Sequence, residues 1–275
     1  MKLNFILVYL FSCLWLVVSS HQAYAGPWPS LTGYYVGDFV AEHLDPKKDP
    51  MHRNKINISI DSVKKDRVQG HSVVAGNLRP FSGSIRQKGE VYVVKAREPG
   101  DNQYDGTFEF TVDPRVHQVK GRWTANDKQL AVTTRTYSLQ QRIFKYNPRQ
   151  NLEQVNARTY HGGTVVYEGY DRATNTAEVI TPSAFKINAS STLLTSKDVE
   201  NMHKRDLEVM RNAIYARHGY SFQNREMRFY FDRVDWYIPV SVDVTRELSE
   251  IERKNIEILK RYEKHAATYY DRFGR

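Results

Sequence analysis

The sequence predicts an α+β protein of two modules, an N-terminal antiparallel β-barrel or β-sandwich followed by a small C-terminal helical domain. Apolar and polar residues alternate from Leu31 to Tyr146, and this period of two is the spacing of half-buried strands. Turn-forming residues interrupt that region at short intervals. From Leu194 the apolar residues recur at helical spacing. The change of period near Leu194 therefore separates two modules.

The chain begins with the features of a secretory signal peptide, predicted over residues 1–25. Lys2 precedes an almost unbroken apolar run over residues 5–18, and a small-residue site ends at Ala25. Because the run is shorter than the roughly 20 apolar residues of a membrane-spanning helix, we expect cleavage near Ala25 and no transmembrane segment in the mature chain. The mature protein is expected to be periplasmic, exposed at the cell surface or secreted. Cleavage would also remove Cys13, the single cysteine, so stability must come from packing.

Positive charge is concentrated in the front part of the 275-residue chain, whose formal net charge is +9. Residues 26–190 hold 23 Lys and Arg against 17 Asp and Glu, whereas residues 191–275 hold 16 against 14. A basic surface favours anionic partners. In an exported protein these would be envelope polymers or lipid headgroups, and we expect no nucleic-acid partner.

The first module, predicted over residues 26–147, contains eight candidate strands. Its alternation is clearest where Ile56, Ile58 and Ile60 are separated by polar residues. Short turns pair each strand with its neighbour in sequence, so the strands can close into an up-and-down barrel or form a sandwich, and we predict the barrel. The candidate strands are residues 31–41, 54–64, 67–76, 81–87, 90–98, 104–112, 117–124 and 130–146.

Two segments of this module resemble the glycine-aromatic strand pairs of calycin-type barrels. They are Gly33-Tyr34-Tyr35-Val36-Gly37 and Gly121-Arg122-Trp123. The resemblance implies a calycin-like barrel. After the barrel, residues 148–190 are predicted to be a structured connector, in which residues 164–170 and 176–181 pair as a hairpin around residues 171–175.

Short helices are predicted to follow the connector and to share one core. The first begins after Thr195 and ends near Met202, the second covers residues 204–218 and ends at Gly219, and the third follows Asn224.

The last helix starts at Ser249, with Glu252 three residues on as in a capping box. The side chains that its period places on one apolar face are Ile251, Asn255, Ile258, Leu259 and Tyr262.

A five-residue motif ends the second of these helices: Tyr215, Ala216, Arg217, His218 and Gly219. Further residues accompany it in a specific order and spacing: Arg211, Asn212, Phe222, Trp236, Tyr237, Glu252 and Asn255. Together they resemble a YARHG domain over residues 191–263, which leaves residues 264–275 as a C-terminal tail. The resemblance implies an exported bacterial module of unknown function, without agreed catalytic residues.

The motif is interpreted as structural rather than catalytic. Helical spacing turns Arg217 and His218 toward the predicted core, and buried polar groups need partners. The candidate partners are the carboxylates of Asp232, Asp235 and Glu252. Asn255 is expected to be a further buried polar residue. The aromatic side chains expected to contribute most of the buried area are Phe222, Trp236 and Tyr237.

A search for catalytic and metal-binding motifs predicts no catalytic residues, no metal site and no cofactor. The segment from Gly70 to Val74 lacks the second glycine of a nucleophile elbow, and the histidines are scattered rather than spaced for zinc. Residues 101–106 lack the ligand pattern of a calcium loop. Paired carboxylates for glycoside hydrolysis are left open, with Asp105 and Glu109 as the first candidates.

The leading functional hypothesis is a non-enzymatic protein of the cell envelope. It would recognise an envelope polymer, an anionic lipid surface or a partner protein. One alternative is a lipocalin-like carrier of small ligands, with Phe108, Phe110 and the isoleucines near Ile56 lining the barrel. A second alternative is a hydrolase of envelope glycans, which would require acidic residues that converge in a cleft.

Overall fold

The computed structural model of the chain describes residues 31–45, 47, 51–152, 158–161, 164–167, 170–171, 176–177 and 180–269. The predicted signal peptide and its cleavage site lie outside these residues. Within them, no helix combines the length and the apolar character needed to cross a membrane.

Eight strands form a closed antiparallel barrel. Each strand pairs with its neighbour in sequence, and β8 pairs with β1 to close the ring. The predicted barrel is confirmed, and the sandwich alternative is excluded. The strands are β1 (Gly33–Leu44), β2 (Arg53–Lys64), β3 (Arg67–Val74), β4 (Asn77–Lys88), β5 (Val91–Arg97), β6 (Gly106–Asp113), β7 (Gln118–Ala125) and β8 (Val132–Arg142).

The interior of the barrel is filled by the side chains that alternate inward along each strand. Ile58 and Ile60 of β2 lie in one apolar cluster with Phe108 and Phe110 of β6. Phe81 packs against Phe108, with ring centroids 5.5 Å apart. Because β6 lies across the barrel from β2, this apolar cluster joins strands that are not hydrogen-bonded to each other.

The connector contains two short antiparallel ladders, separate from the barrel sheet. Strand β9 (Arg158–His161) pairs with β10 (Thr164–Tyr167), and β11 (Tyr170–Asp171) pairs with β12 (Thr176–Ala177). The predicted hairpin is present where β11 pairs with β12, with Tyr170 opposite Ala177, but not at residues 164–167, which pair instead with the segment before them. Its predicted turn lies largely outside the described residues.

The C-terminal domain consists of short helices around two apolar clusters, both separate from the barrel core. A turn of 3-10 helix (Pro182–Phe185) precedes α1 (Ser196–Val199), α2 (Lys204–Arg217), α3 (Arg225–Phe231) and α4 (Glu250–Tyr269). The change of period thus marks a real change of architecture.

Local capping fixes where the helices start and stop. The Asn224 side chain accepts hydrogen bonds from the amides of Glu226 and Met227 at the start of α3. Ser249 and Glu252 bond reciprocally at the start of α4, at 2.9 and 3.2 Å. At Gly219, φ is +76°, the left-handed conformation that ends α2 at little cost only for glycine.

The buried face of α4 agrees with the predicted one at Asn255, Ile258, Leu259 and Tyr262, which are buried or half-buried, but not at Ile251. Ile251 is 39 % exposed, whereas Glu252 and Asn255 are fully buried. An apolar pattern assigns an isoleucine inward and a glutamate outward, but the hydrogen bonds made by Glu252 reverse that order. The helix also continues to Tyr269, so residues 264–269 are not a tail, and Ala266 packs in the core.

The C-terminal domain covers the outer face of the barrel at β2 and β3. Asn57 and Val73 are register partners whose side chains point away from the barrel core, and both are fully buried. The Asn57 side-chain amide donates to the Pro239 carbonyl at 2.9 Å. The backbone amide of Gly76 donates to the Ser221 hydroxyl at 3.0 Å. Polar contacts therefore join the two modules directly.

Candidate functional site

Functional side chains gather in three places, which are the motif at the end of α2, the polar end of the barrel, and the outer face of β4 to β7. The first of these is the motif identified in the sequence. His218, which caps α2, pairs through Nε2 with the Glu252 carboxylate of α4 at 2.9 Å. Tyr146, from the segment after β8, stacks on the His218 ring with centroids 4.1 Å apart and donates its hydroxyl to Glu252 at 3.0 Å.

Glu252 is the centre of this cluster. Burial by itself would raise the pKa of the Glu252 carboxyl, but hydrogen bonds from His218, the Ser249 amide and the Ser190 hydroxyl outweigh it and lower the pKa to about 2. The carboxylate is therefore ionised in the folded protein at any pH above that value. Its burial is tolerated because its oxygens accept several hydrogen bonds.

Arg217 has no carboxylate partner among the described residues. Its Nε donates to the Gln150 carbonyl at 2.8 Å, and Nη1 donates to the Ser190 hydroxyl at 3.2 Å. Burial lowers the pKa of Arg217 to about 10, with Glu252 opposing the shift. Of the three carboxylates considered from the sequence, only Glu252 thus lies beside the motif, and it bonds to His218 rather than to Arg217.

The other motif residues shape the helix end. Ala216 is buried, and Tyr215 is half-buried with its ring 5.9 Å from that of Tyr220. At Gly219, a Cβ atom would lie 2.4 Å from Val240 and 3.0 Å from the Phe144 ring. Glycine is thus required here by close packing as well as by the backbone conformation.

The accompanying residues connect the helices to one another. Arg211 makes a two-point ion pair with Glu263 of α4, with N to O distances of 2.5 and 3.0 Å. Asn212 bonds only within its own helix, to the Glu208 carbonyl at 2.8 Å. Phe222 stacks on Phe231 with centroids 4.8 Å apart.

Asn255 joins the loop before α1 to α4. Its Oδ1 accepts the Leu194 amide at 2.8 Å, and Nδ2 donates to the carbonyls of Ala189 and Thr192, each at 2.7 Å. Tyr237 is buried, whereas Trp236 is half-buried and donates its indole nitrogen to the Asn151 carbonyl at 2.9 Å.

The second place is the polar end of the barrel, where β5 passes into β6 and β7 into β8. Glu98 is 4 % exposed and accepts the Gly106 amide at 2.7 Å, the Trp123 indole at 3.0 Å and the Ser72 hydroxyl at 3.3 Å. Burial raises the pKa of Glu98 above its ordinary value, although these bonds oppose the shift. The Tyr137 hydroxyl beside it is buried and has no hydrogen-bond partner among the described residues.

At the module boundary, Lys55 of β2 enters the C-terminal domain. Its backbone amide donates to the Asp232 carboxylate at 2.9 Å, and its ammonium donates to the Val234 carbonyl at 2.6 Å. Burial lowers the pKa of Lys55 and raises that of Asp232, while their opposite charges favour ionisation of both groups. Asp232 therefore serves the contact between modules rather than the motif.

The third place is a basic surface on β4, β5 and β7. Inward residues alternate with exposed cations on these strands, which we call the basic face: Arg86, Lys88, Lys95, Arg97, Lys120 and Arg122. Within the described part of the chain, Lys95 pairs with Glu109 and Arg122 with Glu42, whereas the other four have no carboxylate partner. The basic face lies across the barrel from β2, so it points away from the C-terminal domain.

The carboxylates considered for glycan hydrolysis lie on different faces of the barrel. Glu109 points outward and pairs with Lys95 at 2.8 Å, whereas Asp105 is buried at the polar end, 3.3 Å from Arg79. The structure does not bring these two carboxyl groups together. In the part of the chain that the structure describes, no three His, Cys, Asp or Glu side chains converge as for a metal ion.

Sequence reasoning missed Glu98, Lys55 and the segment that contacts the motif. Glu98 precedes Pro99 and Gly100 and resembles a solvent-exposed turn residue, and Lys55 falls on the polar side of an alternating strand. Only the facing elements make these residues buried. A single weak signal was available, since Asn57 and Ser59 lie on the same side as Lys55 and are unusually small for a solvated strand face.

An eight-stranded antiparallel barrel followed by a compact helical domain with a buried Arg-His motif defines a two-module protein. Residues 183–264 match the family model of the YARHG domain, so the chain contains a C-terminal YARHG domain. YARHG domains are typical of exported proteins. The match begins within the 3-10 turn at Pro182–Phe185 and includes most of α4. No curated protein matches the chain.

Proposed function

We propose that this protein is an exported, non-enzymatic component of the cell envelope that binds peptidoglycan through the basic face of its barrel. The observation that carries the proposal is the set of four exposed cations without carboxylate partners in the described chain: Arg86, Lys88, Arg97 and Lys120. The stem peptides of peptidoglycan carry carboxylates that such cations can bind.

The spacing of these cations suits a repetitive anionic polymer. Arg86, Val93, Thr111 and Lys120 are successive register partners across four strands, so the two cations lie three strand spacings apart, roughly 14 Å. Lys95 and Arg97 are two residues apart on β5 and share the outer face. A surface of this kind offers several separate contacts rather than one deep pocket, and several weak contacts can act together on one polymer.

The position of the C-terminal domain supports the same proposal. It occupies the outer face at β2 and β3, and leaves β4 to β7 open on the opposite side. The lipocalin-like carrier has no comparable support, because aromatic side chains fill the barrel interior. The glycan hydrolase has none either, because Asp105 and Glu109 lie apart.

Sedimentation with purified peptidoglycan sacculi tests the proposal. The decisive variant carries Arg86→Gln, Lys88→Gln, Arg97→Gln and Lys120→Gln. We expect it to bind at least about tenfold more weakly than the unchanged protein at low salt. Binding of the unchanged protein should also weaken as salt screens the charges.

A matched control removes the same number of exposed cations from the C-terminal domain: Lys197→Gln, Arg253→Gln, Lys260→Gln and Lys264→Gln. This control loses the same net charge as the decisive variant but keeps the basic face. It should therefore bind sacculi within about twofold of the unchanged protein. Equal losses in both variants would contradict a role for the basic face. Binding to phosphatidylglycerol vesicles but not to sacculi would show that the partner is lipid.

A further inference from the structure

The YARHG motif side chains contact a segment that lies outside the domain itself. Residues 143–152, here called the linking segment, follow β8 and precede the residues matched by the family model. Residues 143–147 make no ladder hydrogen bonds, and a turn follows them. Along the segment, residues 144, 146, 148, 150 and 152 are half-buried, while residues 143, 145, 147, 149 and 151 are exposed. This alternation is that of an extended peptide lying on a surface.

The motif recognises this peptide at several points. The Phe144 ring lies against Gly219, and the Tyr146 ring stacks on His218. The Tyr146 hydroxyl donates to Glu252 at 3.0 Å.

Further along the segment, the contacts are made to the main chain. Arg217 and Asn188 both donate to the Gln150 carbonyl, at 2.8 and 3.1 Å, and Trp236 donates to the Asn151 carbonyl at 2.9 Å. Leu152 packs against the apolar cluster beneath. Main-chain contacts supply affinity without regard to sequence, and a side-chain pocket supplies specificity, as in other modes of peptide recognition.

We infer that the YARHG motif forms a peptide-binding groove for an extended segment with a tyrosine four residues before a captured carbonyl, and that the linking segment occupies this groove in cis. Within the groove, His218 and Glu252 are bonded to each other and Arg217 is bonded to carbonyl and hydroxyl oxygens, so these side chains give the groove a fixed shape. Its function is to hold a chain in place. This inference is independent of the basic face and of peptidoglycan.

A binding experiment with the linking segment supplied in trans tests the inference. The full chain carrying Phe144→Ser and Tyr146→Ser frees the groove, and a fluorescent peptide with the sequence of residues 142–152 provides the ligand. By fluorescence anisotropy, we expect the peptide to bind this variant at least about tenfold more tightly than the unchanged protein, whose groove is already occupied.

Two altered peptides separate recognition from nonspecific adhesion. Replacing the residue equivalent to Tyr146 by Phe removes only the hydroxyl and should weaken binding about tenfold, whereas Ala should abolish it. Equal affinity of the three peptides for the variant, or equal affinity of the first peptide for both proteins, would overturn the inference.

If the double variant does not fold, trypsin digestion of the unchanged protein and of Arg217→Lys tests the inference instead. The exposed side chains of Lys145 and Arg149 are cleavage sites, and the seated segment should resist cleavage there. Arg217→Lys loses the guanidinium bonds, so we expect cleavage at these two sites at least about tenfold faster, with no comparable change after Lys88 in the turn between β4 and β5, across the barrel from β8. Unchanged cleavage rates in Arg217→Lys would argue against the groove.

Discussion

The barrel and the C-terminal domain use opposite means to hold their residues together. In the barrel, every strand pairing except that of β1 with β8 joins neighbours in sequence, and one apolar cluster fills the interior. In the C-terminal domain, buried polar side chains join segments that are far apart in sequence, as when Asn255 bonds to Leu194 and Arg217 to Gln150. Local alternation is sufficient to specify the first kind of structure. The second kind depends on particular partners, so removal of one side chain should be more costly there.

The largest effect expected from this difference is that of Asn255→Ala. The substitution leaves the buried Leu194 amide and Ala189 carbonyl, and the part-buried Thr192 carbonyl, without their partner, and should lower the free energy of unfolding by roughly 3 kcal/mol. Urea denaturation followed by circular dichroism measures the change. The matched control is Asn212→Ala, which removes one bond within a helix and should cost less than about 1 kcal/mol. Similar losses in both variants would remove the distinction between the two regions.

An intermediate effect is expected from Glu252→Gln, and it should depend on pH. The pKa of Glu252 is lowered to about 2, so the stability due to its charge is fully present above its ordinary pKa of 4.5 and is lost as pH falls toward 2. We expect the variant to be less stable by roughly 2 kcal/mol at pH 7 and the difference to shrink at pH 3. Glu250→Gln, on the exposed side of the same helix start, should leave stability nearly unchanged. A difference that is the same at pH 7 and pH 3 would rule out the ionised carboxylate as its source.

The smallest effect is expected in the barrel, from Glu98→Gln. Unlike the two substitutions above, it should stabilise the protein. Burial raises the pKa of Glu98, so the folded barrel retains the proton more tightly than the unfolded chain and loses stability as pH rises from 4.5 through the raised pKa. Glutamine stays neutral, so the variant should gain stability relative to the unchanged protein between pH 4 and pH 7. Thermal unfolding at both pH values measures this gain. If the stabilities of the variant and of the unchanged protein changed in parallel with pH, ionisation of Glu98 would not destabilise the barrel as its burial implies.

The sequence predicted the barrel almost strand for strand because each strand pairs with its neighbour, and alternation together with turn residues is local information. The same reasoning placed the starts of α3 and α4 at Asn224 and Ser249, since caps are also local. It failed on Ile251, which it placed on the buried face of α4 although the side chain is 39 % exposed. Glu252 was correctly named as a candidate partner of the motif, but its pairing with His218, 34 positions away, needed the structure.

The candidate sites were less accessible to sequence reasoning than the fold. The motif residues could be identified, but the segment that contacts them could not, because Tyr146 was assigned to the end of the last candidate strand and Gln150 to the connector, whereas β8 ends at Arg142. Similarly, Lys55 reads as a solvated strand residue until the C-terminal domain covers it. Burial imposed by another module leaves almost no trace in a single sequence.

The order of strands in the barrel has a consequence for biosynthesis. Seven of the eight strand pairings join neighbours in sequence and can form in turn as the chain emerges amino terminus first, whereas the pairing of β1 with β8 must wait for the last strand. The linking segment emerges immediately afterwards, already attached to a closed barrel. The C-terminal domain therefore folds against a finished template, and an error in ring closure would be passed on to everything synthesised after it.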